Sequence, residues 1–314
     1  MNSAVVNRII EELEADLRKV GVYYRIFGRL KETDSIRKKL QKKKRKYKET
    51  NSKMQDVVGI RIVFYFLEDV EIFYHYYIKS KKFLSESNSK KDIKLEEKKL
   101  SSIENLADKL FMPTRLNLVF KMDESEEKML QDELYHLTDG ERNLIDSTYE
   151  IQLRTVLSEG WHEVEHDLRY KTKDETWWRD CLEESRMLNG LYATLETSER
   201  AMEQVFSSIA YKNYKKKQWK VMIFNHFKLK FESINLSVAL KNILQKEPDI
   251  AKALLKQKRE TIIMCILNYP IRFPISMDNI VWLTNRLSIH NEEIINLENS
   301  EIKKVLDKIV GIKL

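Results

Sequence analysis

Residues 145–171 read IDSTYEIQLRTVLSEGWHEVEHDLRYK. Up to Arg154 polar and apolar residues alternate, the period of a half-buried β-strand. From 155 the spacing becomes that of a helix running to about 170. The helix contains His162, Glu163 and His166, two histidines four apart with a glutamate after the first, which is the spacing of a helical zinc site. Such a site needs a third ligand. In the extended form of the motif a glycine and a histidine would stand at 169 and 172, where this chain has Arg169 and Thr172. A glutamate from a later helix stays open as the alternative, but the expectation is against zinc.

Outward from this segment the chain reads as α/β and then helical. Val6, Ile9, Ile10, Leu13 and Leu17 are spaced for an amphipathic helix over 3–20. A short link with Gly21 and Gly28 follows, then a basic helix to about 48, capped by Asp34 or Ser35. VVGIRIVFYF, 57–66, is a buried strand by its β-branched and aromatic content, with a helix over 67–83 beside it. Residues 84–109, rich in Ser and Lys, read as a mobile loop or insertion, and PTRLNLVFKM, 113–122, as another strand. Helices are expected over 155–170, 176–214 and 216–245, with shorter ones to the end. A boundary near 215 would divide an α/β domain, 1–214, from a helical extension, 215–314.

Composition supports this division. The 314 residues contain seven glycines and four prolines, few enough to favour long helices over sandwiches or barrels. No apolar run is long enough to span a membrane, and the first twenty residues lack a signal peptide's apolar core. Two distant cysteines, Cys181 and Cys265, read as thiols of a reducing cytoplasm. The net charge of +7 is concentrated: residues 29–53 hold twelve Lys or Arg against three acids. Such a patch attracts nucleotide phosphates, nucleic acid or an acidic partner.

Three segments carry a resemblance. Tyr149-Glu150-Ile151-Gln152-Leu153-Arg154-Thr155, followed by Trp161, Glu165-His166 and Tyr170-Lys171, resembles the strand–helix segment of the RelA/SpoT alarmone synthetase domain. Gly28-Arg29-Leu30-Lys31 with Ser35, Ile36 and Lys39 resembles that family's basic phosphate-binding loop. Asp56-Val57-Val58-Gly59-Ile60-Arg61-Ile62 resembles its strand with a magnesium-binding aspartate. The resemblance spans residues 22–171 and implies a nucleotidyltransferase-like mixed sheet flanked by helices. It also implies transfer of pyrophosphate from ATP to the 3′-hydroxyl of GDP or GTP, releasing AMP. Asp56 and Glu150 would be catalytic and hold Mg²⁺, with Glu150 alternatively the base. Arg29, Lys31, Ser35, Lys38, Lys39 and Arg61 would bind ATP phosphates, and Gln152, Arg154 and His166 would support the cleft. The stretch ahead of the basic loop is too short for the hydrolase module of long members, so a synthetase-only form is expected.

One segment departs from the family. Where members carry G-Y-x-S-[LI]-H, this chain has Met112-Pro113-Thr114-Arg115-Leu116-Asn117. Proline stands for the base-stacking tyrosine, Arg115 for the serine and Asn117 for the histidine, so Arg115 and Asn117 become acceptor-side candidates. The acceptor could be GDP or GTP stacked by another aromatic such as Tyr65 or Tyr135. It could instead be the 3′ end of a tRNA, held by basic stretches 37–48 and 212–220. A nucleotide-binding regulator acting through the tail is the third reading. A homo-oligomer and a neutralising protein partner stay open.

Overall fold

The computed structural model describes residues 3–50, 52–88, 116–165, 168, 178 and 181–311. The chain divides into two compact units, Met1–Glu14 with Tyr24–Ser198, and Ala15–Tyr23 with Glu199–Leu314. The sequence reading set its boundary near 215; this division falls inside a long helix.

The first unit is built on a mixed five-stranded sheet ordered β1 (Tyr24–Leu30), β2 (Val58–Phe64), β5 (Thr148–Thr155), β4 (Leu116–Lys121), β3 (Phe83–Asn88). Only the β2–β5 pair is parallel. Alternation gives the sheet two faces. On one, Ile60, Ile62, Phe64, Ile151, Leu153, Leu118 and Phe120 are buried. Helix α1 (Ala4–Val20) and helix α4 (Leu67–Tyr77) supply part of the cover: Phe73 stacks on Phe64 at 5.0 Å, and Val6 and Ile10 reach Gly28 of β1. A Cβ at Gly28 would stand 2.5 Å from Val6 and 2.8 Å from Ile10, so only glycine lets the helix approach that closely.

Several expectations change. The link across 22–28 is mostly β1, whose alternation is masked by Gly28. The basic helix breaks at Lys43 into α2 (Thr33–Lys42) and α3 (Lys44–Thr50), and the α2 N-cap is Glu32, neither Asp34 nor Ser35. Helix α4 stops at Tyr77, and residues 83–88, the end of the expected helix and the start of the expected loop, form edge strand β3, paired with β4. The rest of that loop and the 112–115 segment, with Arg115, lie outside the described residues, as does His166. After β4 come α5 (Glu124–Glu133), α6 (Asp139–Arg142) and, directly after β5, α7 (Val156–Glu165). Lys82 Nζ lies within 3.5 Å of the carboxylates of Glu12, Asp123 and Glu126, so an ammonium neutralises that acidic group.

Helix α8 (Leu182–Lys215) crosses the division between the units. The second unit is helical: α9 (Trp219–Phe227), α10 (Val238–Lys246), α11 (Pro248–Lys256), α12 (Arg259–Asn268), α13 (Met277–Thr284) with a π-turn over Asn285–Ile289, α14 (Glu292–Ile295) and α15 (Ser300–Val310). The single helix expected over 216–245 is two, separated because Lys228 takes a left-handed φ of 50° and ends α9. Phe227, Leu240, Leu254, Ile262, Phe273 and Ile280 are fully buried in this unit. Among the described residues no helix is long and apolar enough to cross a membrane.

Candidate active site

The second face of the sheet is polar. Register across β1, β2, β5 and β4 aligns Phe27, Arg61, Gln152 and Asn117 in one row, and Arg29, Gly59, Glu150 and Val119 in the next. A cleft of about 690 Å³ opens over this face. Its lining includes Arg29, Lys31, Asp56, Arg61, Glu150 and Gln152, six of the residues singled out from sequence. Two carboxylates far apart in the chain therefore share one cavity with cations, because β2 and β5 are parallel neighbours and both acids lie toward their N-terminal ends.

Local structure places each group. The Lys31 backbone N–H donates to the Val57 carbonyl at 2.9 Å, extending the β1–β2 ladder by one residue and bringing Lys31 beside Asp56. Lys31 Nζ then donates to Asp56 Oδ2 at 2.7 Å. In α2, Ile36 and Leu40 are buried, and Lys39 also donates to Asp56 Oδ2. Burial alone would raise the Asp56 carboxyl, but the hydrogen bonds and charges of Lys31 and Lys39 outweigh it and hold the group below the usual carboxylate range. Burial lowers the Lys31 ammonium, and the neighbouring Lys39 and Arg29 charges act in the same direction against the pull of Asp56. Two ammonium groups on one carboxylate oxygen make a cationic pocket ready to exchange a carboxylate for phosphate oxygens.

Glu150 is oriented differently. Its Oε1 accepts from Gln152 Nε2 at 2.8 Å, and Gln152 Oε1 accepts from Arg61 Nε at 3.3 Å. Arg61 Nη1 donates to Glu159 Oε1 at 2.5 Å and also to Glu163, both on α7. Burial opposes the Arg61 charge, but the two glutamates more than offset it and raise its pKa. A chain of contacts thus runs from α7 through Arg61 and Gln152 to Glu150. The turn from strand to helix is fixed by a reciprocal pair: Thr155 N donates to Ser158 Oγ at 2.9 Å and Ser158 N to Thr155 Oγ1 at 3.1 Å.

Other expected residues lie elsewhere. Ser35 and Lys38 are exposed on α2 and do not line the cleft. Arg154 is buried, with Nη2 donating to Asn117 Oδ1 at 3.3 Å, and neither residue lines the cavity. His162, of the zinc-like pair, is buried on α7 with Nδ1 3.9 Å from Glu165, outside the cleft lining. Glu163, the glutamate of that pattern, is instead a partner of Arg61. Arg25, Phe27 and Glu159 line the cleft without having been singled out. The alternation of YRIFGRL, with Arg25, Phe27 and Arg29 two apart, was the available signal for the first two.

Residues 28–175 match a family model described as a region found in RelA / SpoT proteins. The chain carries a RelA/SpoT domain. Among solved structures, the RelA/SpoT domain and its surroundings are similar to small alarmone synthetase 1 from Bacillus subtilis, at 19% identity over 63% of this chain and 91% of that one, TM-score 0.39. The same protein bound to its product pppGpp matches at 18% identity over 65% and 94%, TM-score 0.40. A GTP pyrophosphokinase family protein from Streptococcus pneumoniae matches at 16% identity over 62% and 87%, TM-score 0.38. No curated protein sequence matches the chain.

Asp56 and Glu150 suit a magnesium ion by their chemistry. Each has one carboxylate oxygen, Asp56 Oδ1 and Glu150 Oε2, with no hydrogen bond among the described residues. Both face a cavity lined by cations that could hold phosphate, and Mg²⁺ favours one or two carboxylates plus phosphate oxygens.

Proposed function

We propose that the RelA/SpoT domain transfers a pyrophosphoryl group from ATP to a ribose 3′-hydroxyl, most directly that of GDP or GTP. The observation that carries this reading is the cleft joining Arg29, Lys31, Asp56, Arg61, Glu150 and Gln152 within the matched residues. In the reaction the 3′-oxygen forms a bond to the β-phosphorus of ATP, the bond from that phosphorus to the α,β-bridging oxygen breaks, and AMP leaves. Charge spreads over phosphate oxygens, so positioning and electrostatics supply most of the catalysis.

Each residue then has a defined task. Lys31 and Lys39 move from Asp56 Oδ2 onto the triphosphate, and Arg29 adds a planar fork to its oxygens. Asp56 and Glu150 would hold Mg²⁺, which supplies charge neutralisation between the phosphates. Glu150, held by Gln152, accepts the proton of the 3′-hydroxyl or shares the ion. Arg61 keeps Gln152 and α7 in register rather than gripping phosphate, since its guanidinium is already tied to Glu159 and Glu163. With two cysteines in 314 residues, we place the reaction in the cytoplasm.

A second acceptor, the 3′ end of tRNA, is favoured by one observation. Lys212, Lys215, Lys216, Lys217 and Lys220 surround the bend between α8 and α9, and none pairs with a carboxylate among the described residues. Lys215 Nζ lies 5.3 Å from the centre of the Tyr211 ring and 5.8 Å from that of Tyr214. Lysines of this kind serve an RNA backbone without reading its sequence. Incubation with ATP labelled in the β- and γ-phosphates, offered GDP, GTP, adenine nucleotides and bulk tRNA, separates the readings. Label on a free guanine nucleotide is expected. Label on tRNA alone replaces the acceptor, and no transfer anywhere with ATP still bound leaves a nucleotide-binding regulator.

A further inference from the structure

We propose that one flank of helix α8 is the contact surface for a second copy of this chain, laid against it in the opposite direction. The inference stands apart from the cleft and from the transfer reaction. Along α8, Leu188, Leu195, Met202 and Ile209 recur every seven residues, and Leu191 and Val205 keep the alternating three-and-four spacing between them, broken only by Ser198. That is the seam of a coiled coil, sustained over three heptads. The protein itself covers this seam only in part: Leu191 and Val205 are 56% and 55% exposed, and the other four are half-buried. The buried positions of the helix, Asn189, Tyr192, Glu199 and Ala210, lie to one side of it, and the Tyr192 ring packs 4.9 Å from that of Trp161. An apolar stripe of this regularity, left open beside a side that is already packed, marks a contact surface.

Charge decides the occupant and its direction. One heptad step beyond the apolar positions the seam turns ionic: Glu184 stands seven residues before Leu191, and Lys212 and Lys216 stand seven after Val205 and Ile209. The helical turn still reaches Lys216, whose backbone N–H donates to the Lys212 carbonyl at 3.2 Å. None of the three pairs with a side chain of opposite charge among the described residues. A seam that is acidic at one end and basic at the other complements itself only when reversed, because a parallel pair would set lysine on lysine. Reversed so that Glu184 meets the partner's Lys216, the same register brings Leu191 to the partner's Ile209, Leu195 to the partner's Val205 and Ser198 to the partner's Met202. A two-fold axis repeats each contact, so the arrangement closes on two copies. One alignment therefore satisfies the ion pairs and the apolar layers together.

The test is sedimentation equilibrium of the full chain at low salt, with far-ultraviolet circular dichroism to check the fold of each variant. The wild-type chain is expected to sediment as two copies in reversible equilibrium with one. Leu191→Glu combined with Val205→Glu should raise the dissociation constant by roughly a hundredfold or more, since the new carboxylates would be buried in the seam. Glu184→Lys and Lys216→Glu should each raise it by roughly tenfold, by turning attraction into repulsion at two symmetric places. Combining those two changes should bring it back to within about threefold of wild type. Glu184 and Lys216 are exposed, so this charge series decides the matter even where the seam variant fails to fold. A wild-type chain that sediments as one copy throughout overturns the proposal. A pair that Leu191→Glu with Val205→Glu leaves unweakened overturns it as well, because the contact then lies on another surface. A combined charge variant that does not recover overturns the antiparallel register.

Discussion

The two halves of the polar sheet face differ in what they carry. The β1–β2–β5 half presents Arg25, Arg29, Arg61, Glu150 and Gln152, with Lys31 and Asp56 at its edge, and all of these line the cleft. In the β4–β3 half the same rows continue as Asn117 opposite Ser87 and Val119 opposite Ser85, uncharged residues outside the cleft lining. One half concentrates charge around a cavity; the other continues the same rows with uncharged residues. On the function proposed above, phosphate handling falls to the three adjoining strands β1, β2 and β5.

The largest effects should come from the charged half. Glu150→Gln and Asp56→Asn should each lower transfer by about 10²–10⁴-fold, the range for losing a proton acceptor or an equivalent electrostatic contact, with the melting temperature of Glu150→Gln close to that of the unaltered protein. Full activity in either variant removes that residue from the mechanism. Next is Gly28→Ala, whose Cβ would stand 2.5 Å from Val6. Overpacking of this kind should cost about 1–3 kcal/mol, read as a lowered denaturant midpoint, and an unshifted midpoint would mean that α1 yields freely.

Replacing Lys31 and Lys39 together by alanine should raise the KM for ATP by roughly ten- to a hundredfold, the loss of charge-assisted contacts, with a smaller change in kcat. The same variant tests the Asp56 ion pair through pH. Since the folded carboxyl sits below its ordinary value, its stabilising contribution is present above an unfolded pKa of about 3.9 and lost as pH falls through the lower folded value. Without the lysines the acid-unfolding midpoint should move to higher pH, and an unchanged acid limb would show that the pair contributes nothing. Arg61→Ala frees Gln152 and leaves Glu159 and Glu163 facing each other, so kcat should fall by about tenfold through Glu150 misplacement. The smallest effect is expected at Asn117→Ala, which should leave the KM for ATP within about threefold and change only the acceptor KM, since Asn117 contacts Arg154 and lies outside the cleft lining.

Much of the charged half was readable because its chemistry is written in contiguous motifs. Arg61 lies in β2 and Asp56 two residues before that strand begins, while Glu150 and Gln152, two apart in β5, fall on one side by alternation. What was not readable depends on long-range pairing. That Arg61 would be taken by Glu159 and Glu163 follows from α7 lying over β2, which no local pattern states. Phe27 was missed because Gly28 interrupts the apolar alternation of β1, and the reason for that glycine, the approach of Val6 and Ile10, is a tertiary contact. Strand β3 was missed because FLSESN is polar, as an edge strand at the uncharged side can be. The histidine pair has the spacing of a metal site but was read against zinc, and His162 is turned into the protein beside Glu165.

The most direct test of the whole account is the identity of the adenine nucleotide that leaves. Following ATP, GDP and the protein by phosphorus NMR, with magnesium present, should give AMP in step with a new 3′-pyrophosphate resonance on the guanine nucleotide, and neither should appear with Glu150→Gln. Release of ADP and free phosphate instead, or AMP formation that survives Glu150→Gln unchanged, would contradict it.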